Sequence, residues 1–136
     1  MAKLAKVLLV DDDKITNYLN DRLINRCEFA DQVFIKMNGK EAFDFLINEC
    51  TTVSYPNLIL LDINMPVVNG IEFIELLLQS NNSNIINIPI TILSTSENEK
   101  DIQKVKSLGN YYFVPKPLTK EKLKEISEHL IDNAVK

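Results

Sequence analysis

Short runs rich in apolar residues alternate along the chain with longer segments in which apolar residues recur three or four positions apart. Apolar runs of about four to eight residues bounded by turn residues are typical of buried strands. On this pattern the sequence predicts strands at 6–10, 32–36, 58–61, 88–93 and 111–114. The central run, Leu58 to Leu61, is apolar throughout and ends abruptly at Asp62, which is typical of a strand covered on both faces.

The longer segments predict amphipathic helices, because residues three and four apart lie on one face of a helix. The apolar positions that indicate the first helix, which runs to about residue 26, are Ile15, Tyr18, Leu19 and Leu23. Residues that commonly cap a helix precede the others, namely Asn38, Asn69, Ser96 and Thr119. The segment 81–87 is rich in asparagine and predicts a loop.

Five strands alternating with five helices predict one class of fold. Because parallel strands need long crossover connections, this alternation favours a parallel sheet covered by helices on both faces. Right-handed crossovers then produce a doubly wound five-stranded α/β sandwich. If the strand order in that sheet is 2-1-3-4-5, the first and third strands are neighbours.

Composition and charge narrow the classes of function. A chain of 136 residues is most simply one domain, and we expect residues 1–136 to form it. The net charge of -4 argues against nucleic-acid binding, which needs a clustered basic surface. No apolar stretch has the length of a membrane span or the pattern of a signal peptide, and Cys27 and Cys50 are not at metal-binding spacing. We therefore expect a cytoplasmic protein that binds neither nucleic acid nor membranes.

Polar side chains follow four of the five predicted strands, at the point where each strand ends. They are Asp11 and Asp12 after the first strand, Asp62 after the third, Ser94 after the fourth and Lys116 just beyond the fifth. In an open parallel sheet, ligands bind outside the carboxyl ends of the strands, where the strand order reverses. In the order 2-1-3-4-5, that position brings Asp11, Asp12 and Asp62 together.

Three carboxylates in close contact cannot all ionise without a compensating cation. A site with oxygen ligands and no histidine or cysteine favours a hard cation, and Mg²⁺ suits a site in which the ion keeps several waters. Lys116 would add a positive charge beside Asp62. A carboxylate between Mg²⁺ and an ammonium group, near a hydroxyl donor, is suited to phosphoryl transfer with Asp62 as the nucleophile.

Four segments of the chain also resemble a known family in their order and spacing. LLVDD, LLDINMPVVNG, ILSTS and YYFVPKP together resemble the receiver domain of two-component response regulators, in particular single-domain receivers of the chemotaxis type. The resemblance covers nearly the whole chain. It implies a flavodoxin-like fold with the strand order 2-1-3-4-5.

The resemblance assigns roles to the acidic residues. It implies that Asp62 is the phosphoacceptor, and that Mg²⁺ is held directly by Asp12, by Asp62 and by the main-chain carbonyl of Asn64. It also implies that Asp11 acts on the metal largely through water. These assignments agree with the acidic cluster expected from the strand ends.

The resemblance assigns roles to three further side chains. Ser94 takes the place of a threonine or serine whose hydroxyl meets the phosphoryl group, and Lys116 is the family's lysine, followed by a bond to Pro117 that is usually cis. Phe113 takes the place of the aromatic residue that moves on activation. Two departures from the family bear on the size of that response: Phe113 lacks the hydroxyl of the tyrosine often found there, and Ser94 lacks the threonine methyl group.

The function implied is that of a response regulator without an output domain. It would accept a phosphoryl group on Asp62 from a histidine kinase or a histidine phosphotransfer protein, and would signal by contact with a downstream protein of unknown identity. The alternative is a phosphorelay intermediate that passes the phosphoryl group to another histidine protein. We expect no enzymatic turnover beyond the Mg²⁺-dependent phosphorylation and dephosphorylation of the chain itself.

Three other functions are compatible with parts of the pattern. A flavodoxin-type electron carrier shares the sheet, but the acidic residues 11–13 would repel the phosphate of FMN. A phosphatase of the haloacid-dehalogenase type needs a second aspartate two residues after its nucleophile, and this chain has Asn64 there. A receiver that binds partners without phosphorylation is disfavoured by the complete acidic set.

Overall fold

The computed structural model describes residues 3–50, 54–65, 67–95 and 99–134. Within these residues five parallel strands form one sheet in the order β2-β1-β3-β4-β5, which confirms the predicted sheet and its order. The strand ends differ from the predicted ends by one or two residues. The strands are β1 (Leu4–Val10), β2 (Ala30–Lys36), β3 (Leu58–Asp62), β4 (Ile90–Ser94) and β5 (Tyr112–Pro115).

The described part of the chain contains six helices, one more than predicted. A π-helical segment, Phe45–Glu49, continues the second of them. None of these helices combines the length and the apolar character needed to cross a bilayer. The helices are α1 (Lys14–Arg26), α2 (Gly39–Asp44), α3 (Gly70–Gln79), α4 (Ser83–Ile86), α5 (Glu99–Leu108) and α6 (Lys120–Ala134).

The additional helix shows that the prediction of a loop over residues 81–87 is wrong. Asn82 caps the single turn of α4, because its side chain accepts a hydrogen bond of 3.0 Å from the backbone N–H of Asn84. Ile85 is fully buried and anchors the turn against the core. Asn38, Asn69 and Thr119 cap helices as predicted, whereas Ser96 lies outside the described residues.

Helices cover both faces of the sheet, and each face has its own core. Alternate residues of β1 point to opposite sides: Leu8 and Val10 pack with α2, α3 and α5, whereas Val7 and Leu9 pack with α1 and α6. Every residue of β3 is buried, as expected of a central parallel strand. The sheet therefore holds the carboxyl ends of β1 and β3 in a rigid setting.

Helix α1 turns a different face to the core than its apolar spacing indicates. Its buried residues are Asn17, Asn20 and Ile24. The apolar residues that predict the helix are largely exposed, at 71% for Ile15, 57% for Tyr18 and 58% for Leu19, while Leu23 is partly buried. Asn17 on the inner face lies next to the end of β1, and the outer face exposes Ile15, Tyr18 and Leu19 to solvent.

Candidate functional site

The register of the sheet brings three acidic side chains together at the carboxyl ends of β1 and β3. Val10 of β1 pairs with Leu61 of β3, so that Asp11 and Asp62 follow side by side. One carboxylate oxygen from each of Asp11, Asp12 and Asp62 lies within 4.8 Å of the others. Asp11 and Asp62 are 4% and 8% exposed, whereas Asp12 faces solvent. The carboxylates that end the strands therefore converge in the fold.

Lys116 reaches this acidic cluster from the loop that follows β5. Its Nζ lies 3.3 Å from Oδ2 of Asp11 and 3.2 Å from Oδ1 of Asp62. The backbone N–H of Lys116 donates a hydrogen bond of 2.8 Å to the carbonyl of Ser94, and its bond to Pro117 is cis, as the resemblance implies. Pairing with β4 thus fixes the backbone from which the ammonium group extends.

The environment shifts the pKa values of both partners in this contact. Burial, and then the charge of Asp11, raise the pKa of Asp62 above its ordinary value, although Lys116 and the N–H of Asn64 act in the opposite direction. Burial alone would lower the pKa of Lys116, but the carboxylates of Asp62 and Asp11 outweigh it and raise that pKa. Lys116 is therefore held as a cation, while the ionisation of Asp62 is costly.

The donor set fits Mg²⁺. The ligands offered by Asp11, Asp12 and Asp62 are carboxylate oxygens, which hard divalent cations prefer. Lys116 balances one of these charges, so the ionised cluster keeps an excess of two negative charges that a divalent ion would neutralise. Asn64 follows Asp62 by two residues and its N–H already binds the Asp62 carboxylate, which leaves the Asn64 carbonyl as a further oxygen donor of this loop.

Asn17 supports the acidic cluster from α1, and its role is missed by the sequence analysis. It is 3% exposed, and its Nδ2 donates a hydrogen bond of 2.8 Å to the carbonyl of Asp11. Its Oδ1 has no hydrogen-bond partner among the described residues. The only signal in the sequence is the helical spacing that Asn17 shares with Asn20 and Ile24, which the stronger apolar pattern of the helix conceals.

Asp13 follows Asp12 in the chain, but its side chain caps α1. Its Oδ1 accepts a hydrogen bond of 3.0 Å from the N–H of Ile15, and its Oδ2 accepts one of 2.9 Å from Oγ1 of Thr16. The bond from Thr16 is the main cause of the lowered pKa of Asp13. The backbone N–H of Asp13 also donates to Oδ1 of Asp11 at 2.9 Å. Asp13 therefore caps α1 and orients Asp11 through its main chain.

Ser94 ends β4, the strand next to β3, whereas Phe113 lies within β5. Ser94 is the last residue of β4 and binds Lys116 through its carbonyl, and no hydrogen bond of its hydroxyl is found in the described structure. Phe113 packs against the core on the α5 side of the sheet, with Nζ of Lys106 5.6 Å from the centroid of its ring. The switch roles of Ser94 and Phe113 stay predictions.

The loop between β3 and α3 closes tightly under Asp62. The N–H of Gly70 donates a hydrogen bond of 2.8 Å to the carbonyl of Ile63. A Cβ atom at position 70 would lie 2.7 Å from the carbonyl oxygen of Asp62, so this approach requires glycine. Asn69 and Glu72 form a full capping box at the start of α3. The backbone around Asp62 is thereby held by the helix that follows it.

Comparison with known proteins places this architecture in a family. The family model for the response regulator receiver domain matches residues 7–128. The chain belongs to this family. The receiver domain is 30% identical over 125 residues to the probable methanogenesis regulatory protein FilR2 of Methanothrix harundinacea, with 91% of this chain and 79% of FilR2 covered. Membership in the family favours the receiver interpretation over the electron-carrier and phosphatase alternatives.

A solved structure agrees with this assignment. The crystal structure of a two-component response regulator from Cytophaga hutchinsonii matches the receiver domain with a TM-score of 0.82 at 30% identity, covering 96% of this chain and 99% of the other. Some relatives are much longer: the receiver domain is 30% identical over 128 residues to the response regulator-like protein PRR37 of rice, but spans only 16% of its length. This chain therefore corresponds to only a small part of such a longer relative.

Proposed function

We propose that this receiver domain is the phosphoacceptor of a two-component system. It takes a phosphoryl group onto Asp62 from a phosphohistidine of a histidine kinase or a histidine phosphotransfer protein, in the presence of Mg²⁺. The observation that carries the proposal is the convergence of Asp11, Asp12 and Asp62 on one side and Lys116 on the other, with Lys116 3.2 Å from Asp62. The phosphorylated domain then signals by contact with a downstream protein.

The chemistry follows from the positions of these side chains. A carboxylate oxygen of Asp62 attacks the phosphorus, the bond from phosphorus to the donor imidazole nitrogen breaks, and the electron pair stays on that nitrogen. The ammonium group of Lys116, held beside Asp62, balances negative charge on the phosphoryl oxygens. Mg²⁺ held by Asp11, Asp12, Asp62 and the Asn64 carbonyl would supply further neutralising charge when bound. In this proposal the chain catalyses only its own phosphorylation and dephosphorylation, because hydrolysis of the acyl phosphate returns it to the starting state.

The exposed face of α1 supports docking of a phosphoryl donor next to Asp62. Ile15, Tyr18 and Leu19 present a partly apolar surface to solvent. Beside them, a groove of about 360 Å³ runs between α1 and the loop after β5 and reaches Lys116. An apolar helix face of a donor protein would cover such a surface, because exposed apolar patches of this kind mark interaction sites. Among the lining residues are Leu19, Arg22, Leu23, Arg26 and Leu118.

Incubation with acetyl phosphate and Mg²⁺, followed by intact-protein mass spectrometry, tests the proposal. We expect the wild-type chain to gain the mass of one phosphoryl group and to lose it again over time, and we expect Asp62→Asn to gain none. Asp13→Asn is the matched control, because it removes a neighbouring carboxylate that caps α1, and it should gain the group like the wild type.

Absence of the added mass on the wild-type chain, or equal addition to Asp62→Asn, would contradict the proposal. The contact role and the relay alternative are separated by mixing the phosphorylated domain with histidine phosphotransfer proteins. Return of the phosphoryl group from Asp62 to a histidine would identify a relay. The single-domain organisation of residues 1–136 and the cytoplasmic location stay predictions.

A further inference from the structure

The loop that carries Lys116 has few backbone donors with which to anchor itself. It reads Pro115, Lys116, Pro117, and proline has no backbone N–H. The N–H of Lys116 is already bound to the carbonyl of Ser94 at 2.8 Å. Any further backbone anchor must therefore act on the carbonyl groups of the loop.

Lys122, in the first turns of α6, provides this anchor. Its Nζ donates hydrogen bonds of 2.7 Å to the carbonyl of Pro115 and 2.8 Å to the carbonyl of Pro117. The two acceptors immediately precede and follow Lys116, so one ammonium group holds the loop on both sides of the residue that reaches the acidic cluster. Hydrogen bonds from a charged donor are shorter and stronger than those between neutral groups.

The start of α6 places Lys122 for this contact. The backbone N–H of Lys122 binds Oγ1 of the cap residue Thr119 at 3.2 Å, and Leu118 and Leu123 are buried on either side. The start of α6 is thus anchored in the core, and the hydrogen bonds of Lys122 hold the loop against it.

We infer that Lys122 is a positioning residue, which holds the loop so that the ammonium group of Lys116 faces Asp11 and Asp62. The inference rests on the proposed function, in which Lys116 balances charge on the phosphoryl group. The contacts of Lys116, at 3.3 and 3.2 Å, are long for charged hydrogen bonds, so a small displacement of the loop would break them. Misplacement of a catalytic group by about 1 Å can reduce a rate by about a hundredfold.

The test compares three variants of α6 in phosphorylation by saturating acetyl phosphate with Mg²⁺. Lys122→Met keeps a long unbranched side chain but removes its donors, and we expect about a tenfold slower reaction. Lys122→Arg keeps donors for both carbonyls and should restore most of the rate. Lys124→Met is the matched control, because Lys124 is exposed on the same helix and makes no hydrogen bond to the loop, and it should react like the wild type.

A second readout separates positioning from general damage. Because Lys122 contacts the loop and not the acidic cluster, Lys122→Met keeps every metal ligand, and a displaced Lys116 would no longer balance a negative charge there. Mg²⁺ affinity, measured by calorimetry, should therefore not fall in Lys122→Met. The backbone N–H of Lys116 should exchange with solvent faster in Lys122→Met, but not in Lys124→Met, since only the former releases the loop.

Each outcome decides the inference. A Lys122→Met rate equal to wild type, a parallel loss of Mg²⁺ affinity, or no rescue by Lys122→Arg would overturn it while leaving phosphorylation of Asp62 intact. If the wild-type chain takes up no phosphoryl group, the proposed function fails, and the exchange rate of the Lys116 amide alone then decides whether Lys122 holds the loop.

Discussion

At the scale of single residues, Asp62 shows a conflict between stability and function. It is 8% exposed and lies beside Asp11, and both burial and that neighbouring charge raise its pKa. The folded environment therefore disfavours the carboxylate of Asp62, although a phosphoacceptor needs that carboxylate. Proteins commonly tolerate such destabilising groups at functional sites.

This conflict predicts that Asp62→Asn stabilises the metal-free protein at neutral pH. Because the pKa of Asp62 is raised above 3.8 in the folded state, the folded chain retains a proton that the unfolded chain has lost, and stability falls as the pH rises between these two pKa values. The variant avoids this loss. We expect its free energy of unfolding in EDTA to exceed that of the wild type by about 1 kcal/mol at pH 7.5.

The gain should shrink as the pH falls toward 3.8 and disappear well below it, where Asp62 is protonated in both states. Urea unfolding followed by circular dichroism at pH 7.5 and pH 4 measures both values. Asp13→Asn is the control, because the pKa of Asp13 is shifted in the opposite direction: the hydrogen bond from Thr16 lowers it. Removing the charge of Asp13 should therefore not increase the free energy of unfolding at pH 7.5. An Asp62→Asn protein less stable than wild type at neutral pH would contradict the prediction.

At the scale of elements, one face of α1 contacts the acidic cluster and the other is exposed to solvent. Its inner face carries Asn17, which holds the Asp11 carbonyl, and its outer face carries exposed Ile15 and Leu19. Helical spacing in the sequence shows that the helix exists. It does not show which face is buried, because the neighbours of α1 are residues distant in the chain.

A substitution on the outer face of α1 should weaken docking of a protein donor without slowing the phosphoryl-transfer step itself. Leu19→Ser should slow transfer from a phosphorylated histidine phosphotransfer domain by about tenfold at subsaturating donor, because an apolar contact of the docking surface is lost. The rate with acetyl phosphate should not change. Since Leu19 is 58% exposed, the free energy of unfolding should change by no more than about 0.5 kcal/mol.

Leu78→Ser provides the matched comparison for this experiment. Leu78 is 38% exposed on α3, which packs on the opposite face of the sheet from α1. Its replacement should leave both transfer rates at the wild-type value. Equal slowing by the two variants, or slowing of the acetyl phosphate reaction by Leu19→Ser, would show that α1 is not a docking surface for the donor.

At the scale of the whole molecule, the sheet collects charges from distant parts of the chain. Asp11, Asp62 and Lys116 come from three separate segments of the chain. The strand order β2-β1-β3-β4-β5 nevertheless brings them together at the carboxyl ends of the strands. The resulting excess of negative charge is a cost to the folded state. A bound divalent cation would offset that cost, so metal binding and folding stability are linked.

We therefore expect Mg²⁺ to raise the melting temperature of the wild-type chain, and EDTA to reverse the rise. An ion at about a hundred times its dissociation constant stabilises the folded state by about 2.7 kcal/mol. Asp12→Asn should lose more than half of the shift, because it removes one charged ligand that is exposed and contributes little to packing. Differential scanning calorimetry with and without Mg²⁺ measures the shift.

The comparison with Asp13→Asn makes this measurement specific. Asparagine also caps helices, so this variant keeps α1 while changing the net charge by the same amount as Asp12→Asn. It should show the full Mg²⁺ shift. An equal reduction in both variants would indicate general charge screening instead of a metal site.

The sequence alone determined which residues end the strands and which segments form the sheet. Apolar runs as distinct as 58–61 are local signals, and the carboxylates that end them, Asp11 and Asp62, are visible without any structure. The family's motif spacing supplied the strand order, and the fold confirms it. The local apolar pattern and the family's motif spacing were therefore sufficient to predict the fold class and the acidic residues of the site.

The contacts that support those residues become visible only in the folded molecule. The contact of Lys122 with the carbonyls of Pro115 and Pro117, the hydrogen bond from Asn17 to Asp11, and the single turn of α4 lack a strong signal in sequence spacing. Each depends on the direction in which a side chain points once the helices have packed on the sheet. Packing is set by contacts between segments far apart in the chain, and a pattern of neighbouring residues does not record them.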